Sequence, residues 1–343
     1  YLIYVLLATV CDVMPLRKLN RLISIHALNE FNINDNYALS KLFDLSNKKN
    51  KLNINDLGYL IGPILNAGGR LGKPSYATEL LSSNDLKILD NRSIELVKLN
   101  DKRKYIESLI LNDINFEKIE NEKEKVIIYF NPNINEGLIG IVAARLKDYF
   151  NKPSIVITAA GNILKGSARS IYNYNIGRAI KNSLDKNIIL NGGGHEMAAG
   201  FTLKKDNLKV FNDFMLKNFS KISSSINYSF NYDAEISSMA FNQSFFDDIK
   251  KIQPFGTGNP LPTFLFKDLK PIKSTILNDK HISSILKSKI GFSIYSISFN
   301  SVNTKIGEYL LNYKKNLNVL GQINENFWNN KNSLQLTVRD LIL

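Results

Sequence analysis

A short strand-like segment, Lys165–Ser170 (KGSARS), carries a hydroxyl and a guanidinium group at a spacing that could serve phosphate chemistry. Ser167 and Arg169 stand two residues apart. On a β-strand this spacing points both side chains to one face, where they could hold a phosphate or a 5′ end. The alternative is the polar face of an edge strand, and the spacing alone favours that alternative.

The most distinctive segment is Gly192–Gly200 (GGGHEMAAG), in which His195 follows three glycines and precedes a run of small residues. Glycines such as Gly193 and Gly194 allow a backbone to approach a ligand closely, and we expect them in a turn. His195 could donate to a phosphate oxygen or assist a proton transfer. A lone histidine is more often structural, but its glycine-rich and small-residue flanks favour a functional role.

A second glycine-rich segment, Gly62–Gly72 (GPILNAGGRLG), surrounds Asn66 and Arg70. Arg70 could clamp a phosphate with two parallel hydrogen bonds, and Asn66 is a further candidate for phosphate binding. An ordinary tight turn with a solvated arginine is an equally good interpretation of the same residues.

One carboxylate, Asp12, follows an almost wholly apolar run, Tyr1–Val10 (YLIYVLLATV). We interpret this run as a buried parallel strand, because it is too short to span a bilayer and lacks the flanks of a signal peptide. Asp12 would then lie where α/β sheets place ligands and could bind Mn²⁺ or Mg²⁺. The alternative is a carboxylate that caps the following turn, which is favoured because one carboxylate does not make a metal site.

The elements that must position these residues indicate an α/β fold in several domains. Apolar residues at helical spacing predict one or two linking helices between Ser75 and Ile119. A strand at Lys125–Phe130, an amphipathic helix at Glu136–Phe150 and a strand at Pro153–Thr158 form a βαβ unit. A strand near Leu164–Ser170 and helices near Ile176–Leu184 and Asn207–Phe219 would complete that domain.

After a linker at Ser223–Asn227, short strands dominate and indicate a small barrel with an OB-like strand pattern. One helix near Gln243–Ile252 interrupts them. Within Pro254–Pro262 (PFGTGNPLP), Phe255 could stack on a base, although packing into the domain is the commoner outcome. The predicted strands are Tyr228–Ile236, Thr263–Phe266, His281–Leu286, Gly291–Phe299, Leu317–Ile323 and Ser333–Ile342.

The composition favours a polyanionic partner. There are 44 Lys and Arg residues against 31 Asp and Glu, which gives a formal net charge of +13. Such a balance indicates nucleic acid or an anionic membrane surface, although lysines in Asn/Lys-rich loops are also common on ordinary surfaces. A single cysteine, Cys11, excludes a disulfide framework within the chain and fits a cytoplasmic location.

In their order along the chain, seven segments together resemble the RecJ exonucleases of the DHH phosphoesterase superfamily. They are ATVCDVMPL, GPILNAGGRLG, NEGLIGIVAARL, KGSARS, GGGHEMAAG, PFGTGNPLP and QINENFWNNKNSLQLTVRDL. The resemblance implies the C-terminal part of a DHH catalytic α/β domain (1–82), a connecting helical segment (83–122), a DHH-associated α/β domain (123–222) and an OB-like nucleic-acid-binding domain (223–343).

The same resemblance implies removal of nucleotides from single-stranded DNA in the 5′→3′ direction with Mn²⁺ or Mg²⁺, in DNA repair and recombination. Asp12 matches a metal ligand and Arg70 an arginine that contacts phosphate. Ser167 and Arg169 match the pair that holds the 5′-phosphate, and His195 the histidine near the scissile phosphate. Single-stranded DNA is the implied partner, a helicase or single-strand-binding protein a candidate one, and a membrane is not expected.

The chain departs from the family pattern because it has no Asp-x-Asp motif and no Asp-His-His triplet. In the family these motifs precede the segment that matches Asp12, so we expect a fragment that is inactive alone. A non-catalytic module that binds single-stranded nucleic acid is the main competing interpretation. Two further interpretations are a phosphoesterase for short oligonucleotides, which the barrel disfavours, and a tRNA-binding relative, which the segment around Asp12 disfavours.

Overall fold

The computed structural model describes residues 1–48, 51–122, 124–220, 231–313, 315–328 and 331–342. The chain divides into two compact units, one formed by Tyr1–Phe31 with Ser229–Leu343 and the other by Asn32–Tyr228. No helix in the described ranges is long and apolar enough to cross a membrane. The predicted linker at Ser223–Asn227 and the start of the strand predicted at Tyr228–Ile236 lie outside the described residues.

The first unit opens with two helices, α1 (Leu2–Cys11) and α2 (Lys18–Glu30). The strand that we predicted for Tyr1–Val10 is therefore wrong. Ile3, Leu6 and Leu7 are buried, a spacing of three to four residues that lines one side of a helix. A short run that is apolar at almost every position has no clear period, so its sequence does not separate a helix from a buried strand.

The elements in the rest of this unit are β6 (Ala234–Glu235), α12 (Gln243–Lys250), β7 (Phe264–Leu277), β8 (His281–Ser288), β9 (Ser293–Ser298), α13 (Lys305–Asn312), β10 (Leu317–Trp328) and β11 (Lys331–Ile342). Five of the strands form a closed barrel with the order β7-β8-β9-β11-β10, in which β10 also pairs with β7. All pairs within the barrel are antiparallel except β9 with β11, which are parallel. The predicted OB-like barrel is confirmed, although the sequence analysis did not predict a second helix, α13.

The glycine- and proline-rich segment before β7 binds the α1–α2 connection. The backbone N–H of Leu16 donates to the carbonyl of Thr257 at 2.6 Å, and Arg17 Nε donates to the carbonyl of Gly258 at 2.6 Å. Phe255 is half-buried and packs against the barrel core. The packing interpretation of Phe255 is therefore correct.

The second unit begins with helices only. The tight turn predicted over Gly62–Gly72 is wrong for most of its length, because α5 runs through Gly68 and Gly69 to Arg70. Only Gly72, with φ of +81°, adopts the backbone conformation that favours glycine. The predicted linking helices are confirmed. The helices are α3 (Tyr37–Leu45), α4 (Ile54–Asp56), α5 (Gly62–Arg70), α6 (Ser75–Ser82), α7 (Leu86–Asp113) and α8 (Phe116–Asn121).

The elements that follow are β1 (Ile127–Phe130), α9 (Ile139–Phe150), β2 (Ser154–Ala160), β3 (Ile163–Arg169), α10 (Ile176–Asp185), β4 (Asn191–His195), β5 (Ala198–Lys204) and α11 (Leu208–Ser220). The strands form a five-stranded sheet with the order β1-β2-β3-β5-β4. Strands β1 and β2 are parallel and are joined by α9, as the βαβ pattern predicts, and the other pairs are antiparallel. The predicted turn at Gly192–Gly194 is wrong, because these glycines lie within β4.

The two faces of this sheet are covered unequally. One face packs on α10 and α11 through a core that includes Ile157, Leu164, Phe201 and Phe211. On the other face α9 packs on β2 and β3, and Val156 of β2 belongs to its core. Alternate residues of β3 and β5 on this second face are only partly buried or exposed. The sheet therefore presents open surface beyond α9, and the candidate residues of β3 and β4 lie there.

Candidate anion-binding site

Ser167 and Arg169 lie side by side on β3, as their spacing predicts. Arg169 Nη1 donates to the Ser167 hydroxyl at 3.1 Å and to the carbonyl of Ala168 at 2.9 Å. Helix α9 approaches them through Gly140, where a β-carbon would lie 2.9 Å from Arg169 Nη2 and 3.1 Å from Ser167 Oγ. A residue larger than glycine would therefore displace the ends of these side chains.

Arg70 approaches the same region from the last turn of α5. Its Nη1 donates to the carbonyl of Gly137 at 3.2 Å, just before α9 begins. A β-carbon on Gly137 would lie 2.3 Å from the backbone oxygen of Arg70, so only glycine allows this approach. Arg70, Ser167 and Arg169 together are called the anion site below.

Burial and neighbouring charges both shift the pKa values of Arg70 and Arg169. Burial, above all, lowers the pKa of Arg70 below its ordinary value; the positive charge of Arg103 lowers it further, whereas Glu107 raises it. Burial also lowers the pKa of Arg169, with a smaller contribution from the positive charge of Arg70. The two guanidinium groups are therefore close enough to repel one another, and both remain protonated because an arginine starts from a very high pKa.

Within the described ranges, neither arginine of the anion site forms an ion pair with a carboxylate. Their hydrogen bonds go to backbone carbonyls and to the Ser167 hydroxyl. A partly buried charge is costly without a counter-charge, and guanidinium groups prefer the two oxygens of a phosphate or carboxylate. The arrangement is suited to an external anion.

The glycines before His195 have two different environments. A β-carbon on Gly194 would lie 2.3 Å from the carbonyl oxygen of Ala198, so this residue is required for packing. Gly193 has no atom within 4 Å of such a carbon and faces open space. Of these two predicted phosphate-binding residues, Gly193 therefore has the free approach to a ligand.

His195 ends β4 and is exposed. Its Nδ1 accepts a long hydrogen bond of 3.4 Å from the N–H of Met197, which leaves the proton of the neutral ring on Nε2. His195 and Arg169 both pair with Ala198, so they lie in one row and on one face of the sheet. Two strand spacings separate their backbones by about 10 Å.

A cleft of about 830 Å³ opens over this face of the sheet. Its lining includes Arg70 and Gly193 among the predicted site residues. Lys165 also lines it, two residues before Ser167, and forms an ion pair of 2.5 Å with Glu136. The sequence did not identify Lys165, Glu136 or Gly140 as site residues, since only the packing of α9 on β3 brings them together.

Asn66 and Asp12 are both exposed to solvent. Asn66 is exposed on α5, one helical turn before Arg70, so the two side chains share a face of that helix. Asp12 belongs to the other unit, where it is exposed at the C-terminal end of α1. Among the described residues no three His, Cys, Asp or Glu side chains are grouped so that they could hold a metal ion. The residues present therefore do not form a metal centre.

The barrel offers a separate candidate surface on its outer face. The strand register aligns Lys273 of β7, Ile285 of β8 and Tyr295 of β9 in one row. Tyr295 is 61% exposed. An exposed aromatic ring near a lysine is a combination that binds single-stranded nucleic acid by stacking and charge.

Comparison with known proteins gives a consistent family. Residues 123–221 match the family model described as the DHHA1 domain, and residues 232–340 match the RecJ OB domain. The single-stranded-DNA-specific exonuclease RecJ of Haemophilus influenzae is 31% identical over 97% of this chain and 60% of its own length. The Bacillus subtilis protein of the same name is 27% identical over 97% of this chain and 43% of its own length.

Among solved structures, RecJ from Thermus thermophilus in complex with Mg²⁺ matches with a TM-score of 0.80 at 23% identity. The match covers 98% of this chain and 51% of that protein, and at this identity it supports the fold alone. This chain thus spans about half of the relatives it matches. The two domain matches and the relatives confirm the resemblance of this chain to the RecJ exonucleases.

Proposed function

We propose that this chain supplies the 5′-end recognition and strand-holding parts of a single-stranded-DNA-specific 5′→3′ exonuclease. The observation that carries the proposal is the anion site, in which two half-buried guanidinium groups have no carboxylate partner among the described residues and one of them donates to a hydroxyl. The resemblance supports the same activity, because the curated relatives are named as exonucleases of this specificity.

In this proposal the terminal 5′-phosphate binds Arg70, Ser167 and Arg169. A phosphomonoester carries more negative charge than a phosphodiester, and its oxygens match the planar fork of a guanidinium. The first nucleoside would lie over the open glycine surface at Gly193, and the next phosphate near His195 Nε2. Ser167 and Arg169 lie on the same sheet face as Gly193 and His195. A strand held at its 5′ end would therefore run along this face, and nucleotides would be removed from that end.

A divalent metal, Mn²⁺ or Mg²⁺, is part of the proposed activity, with Asp12 as one ligand. The Thermus thermophilus structure contains Mg²⁺, which supports metal use in the family. The described residues of this chain do not complete a metal site, so no step of the reaction is derived through the ion. Three further parts of the proposal are supported by the resemblance alone. They are a role in DNA repair and recombination, a helicase or single-strand-binding partner, and a cytoplasmic location.

The test compares the binding of two fluorescent oligodeoxynucleotides that differ only in a 5′-phosphate or a 5′-hydroxyl. We expect tighter binding of the phosphorylated strand, and Arg169→Ala to weaken this preference about ten- to hundredfold, the equivalent of one charge-assisted hydrogen bond. Arg178→Ala, which removes an exposed arginine of the same domain, is the matched control. Equal binding of both strands by the unmodified chain would contradict the proposal.

A second candidate is a non-catalytic module that binds single-stranded nucleic acid, favoured by the lack of a metal-ligand cluster among the described residues. The comparison of 5′-phosphoryl and 5′-hydroxyl strands separates the two, because the chain is expected to be inactive alone in either case. A module that only holds single strands would bind both strands equally, whereas a preference for the 5′-phosphate would favour the exonuclease part.

A further inference from the structure

A buried carboxylate, Glu107, lies beside the anion site without belonging to it. Glu107 is in the long helix α7 and is only 6% exposed. Its Oε2 accepts from Arg103 Nη1 at 2.8 Å and its Oε1 accepts from Arg145 Nε at 2.7 Å. One buried carboxylate therefore joins one arginine of its own helix to another arginine on α9.

Helix α9 is the element that touches both arginines of the anion site. Just before its first turn, the carbonyl of Gly137 accepts a hydrogen bond from Arg70. One residue into the helix, Gly140 packs against the ends of Arg169 and Ser167. A small movement of α9 would therefore change the distance between the two guanidinium groups and the exposure of the Ser167 hydroxyl.

Glu107 also determines where a third guanidinium group points. The Arg103 side chain is 12% exposed and is held by Glu107 together with Asn100 Oδ1. It is close enough to Arg70 for its charge to lower the pKa of Arg70. With Arg103 engaged by Glu107, the site presents two guanidinium groups to an anion rather than three.

We propose that Glu107 is a positioning residue for 5′-phosphate recognition, which ties α7 to α9 and so fixes Gly137 and Gly140 against Arg70 and Arg169. This inference rests on the proposed function. Both oxygens of a buried carboxylate are used in hydrogen-bonded ion pairs, and removal of one partner of such a pair leaves the other charge uncompensated. The tie is therefore rigid, and the position of α9 depends on it.

The same helix α7 provides a matched control. Arg92 of α7 forms an ion pair with Glu79 of α6 at 2.5 Å, and this pair does not involve α9. The comparison uses Glu107→Gln, Arg145→Gln and Glu79→Gln in the whole chain. Arg145 is 57% exposed in its side chain, so its substitution tests the tie even if Glu107→Gln does not fold.

The measurement is the ratio of the dissociation constants of 5′-hydroxyl and 5′-phosphoryl pentadeoxynucleotides. We expect Glu107→Gln and Arg145→Gln each to lower this ratio by about fivefold or more, and Glu79→Gln to leave it within about twofold. A purely structural role would weaken the binding of both oligonucleotides equally and keep the ratio, which would overturn the inference. A ratio that rises would overturn it as well.

The outcomes also separate this inference from the function on which it rests. If the unmodified chain does not distinguish the two oligonucleotides, the proposed function fails. If it does distinguish them and both α7–α9 variants keep the full preference, the function stands and the role of Glu107 is refuted.

Discussion

The replacement of Gly140 by alanine should impair phosphate recognition while it leaves the fold intact. This change removes no charge and no hydrogen-bond donor from the protein. Its new β-carbon would lie 2.9 Å from Arg169 Nη2 and 3.1 Å from Ser167 Oγ. Both atoms are at the ends of side chains, so they can move away from the new methyl group, but only by leaving the geometry of the anion site.

The expected effects on stability and on binding differ in size. Alanine is favoured over glycine within a helix by up to about 1 kcal/mol, which offsets the cost of moving Arg169. We therefore expect the free energy of unfolding to change by less than about 1 kcal/mol. Loss of one charge-assisted hydrogen bond to phosphate costs about 1.5–3 kcal/mol, so the preference for a 5′-phosphate should fall about ten- to hundredfold.

Two measurements check this prediction. Denaturant unfolding gives the stability, and fluorescence anisotropy gives the affinities for 5′-phosphoryl and 5′-hydroxyl oligodeoxynucleotides. In an Arg169→Ala background, Gly140→Ala should have a much smaller effect, because the closest group that it displaces is already absent and only the Ser167 hydroxyl remains near it. A Gly140→Ala protein that folds normally and keeps its full preference would show that Arg169 and Ser167 do not hold the phosphate.

Further predictions concern the two units separately. Gly194→Ala should destabilise the protein by about 2 kcal/mol or more, because its β-carbon would meet backbone atoms, whereas Gly193→Ala should change stability by less than about 0.5 kcal/mol in the same urea titration. Tyr295→Ala should weaken the binding of long single strands by about 1–3 kcal/mol without altering the 5′-phosphate preference, as measured by anisotropy with both oligonucleotide types. Burial raises the pKa of Tyr174, so the phenol ionises at a lower pH in the unfolded chain than in the folded chain. The stability of the fold should therefore fall as the pH rises above about 10. In Tm measurements across that range, Tyr174→Phe should reduce this loss of stability.

The sequence predicts the fold best where the periodic spacing of apolar residues extends far enough to distinguish a helix from a strand. The βαβ unit follows from two apolar runs on either side of an amphipathic helix, and α9 joins the parallel strands β1 and β2 as expected. The run Tyr1–Val10 could not be assigned in this way, because it is apolar at almost every position. Its helical state depends on tertiary packing, which buries Ile3, Leu6 and Leu7 on one side.

Glycine-rich segments were misinterpreted for a related reason. A turn is the usual explanation for consecutive glycines, but Gly192, Gly193 and Gly194 lie in a strand, and Gly68 and Gly69 in a helix. Gly68 is explained by close contact with the carbonyl oxygen of Lys73, and Gly194 by close contact with Ala198 and Ala199 on the paired strand β5. Such contacts exist only in the folded chain, so local sequence patterns cannot predict them.

Among the site residues, too, the sequence predicts contacts that follow from local spacing but not contacts between distant segments. The face shared by Ser167 and Arg169 follows from a spacing of two residues on a strand, and the sequence identified it. The ion pair between Glu107 and Arg145 joins residues far apart in the sequence and requires α7 and α9 to be adjacent. Of this network, only the i, i+4 pair of Arg103 and Glu107 leaves a signal in the sequence, and such pairs are also common on ordinary helices.

The formal charge of +13 explains less about recognition than the pairing of individual charges does. Lys165 is in the cleft, but Glu136 already neutralises it. Arg70 and Arg169 donate to carbonyl and hydroxyl oxygens, which orient a guanidinium group without cancelling its charge. Because partial burial makes that uncancelled charge costly, binding of an anion at this point gains more free energy than binding at a solvated lysine. The chemistry of the site therefore supports the proposed selection of a terminal phosphate by its charge and its geometry together.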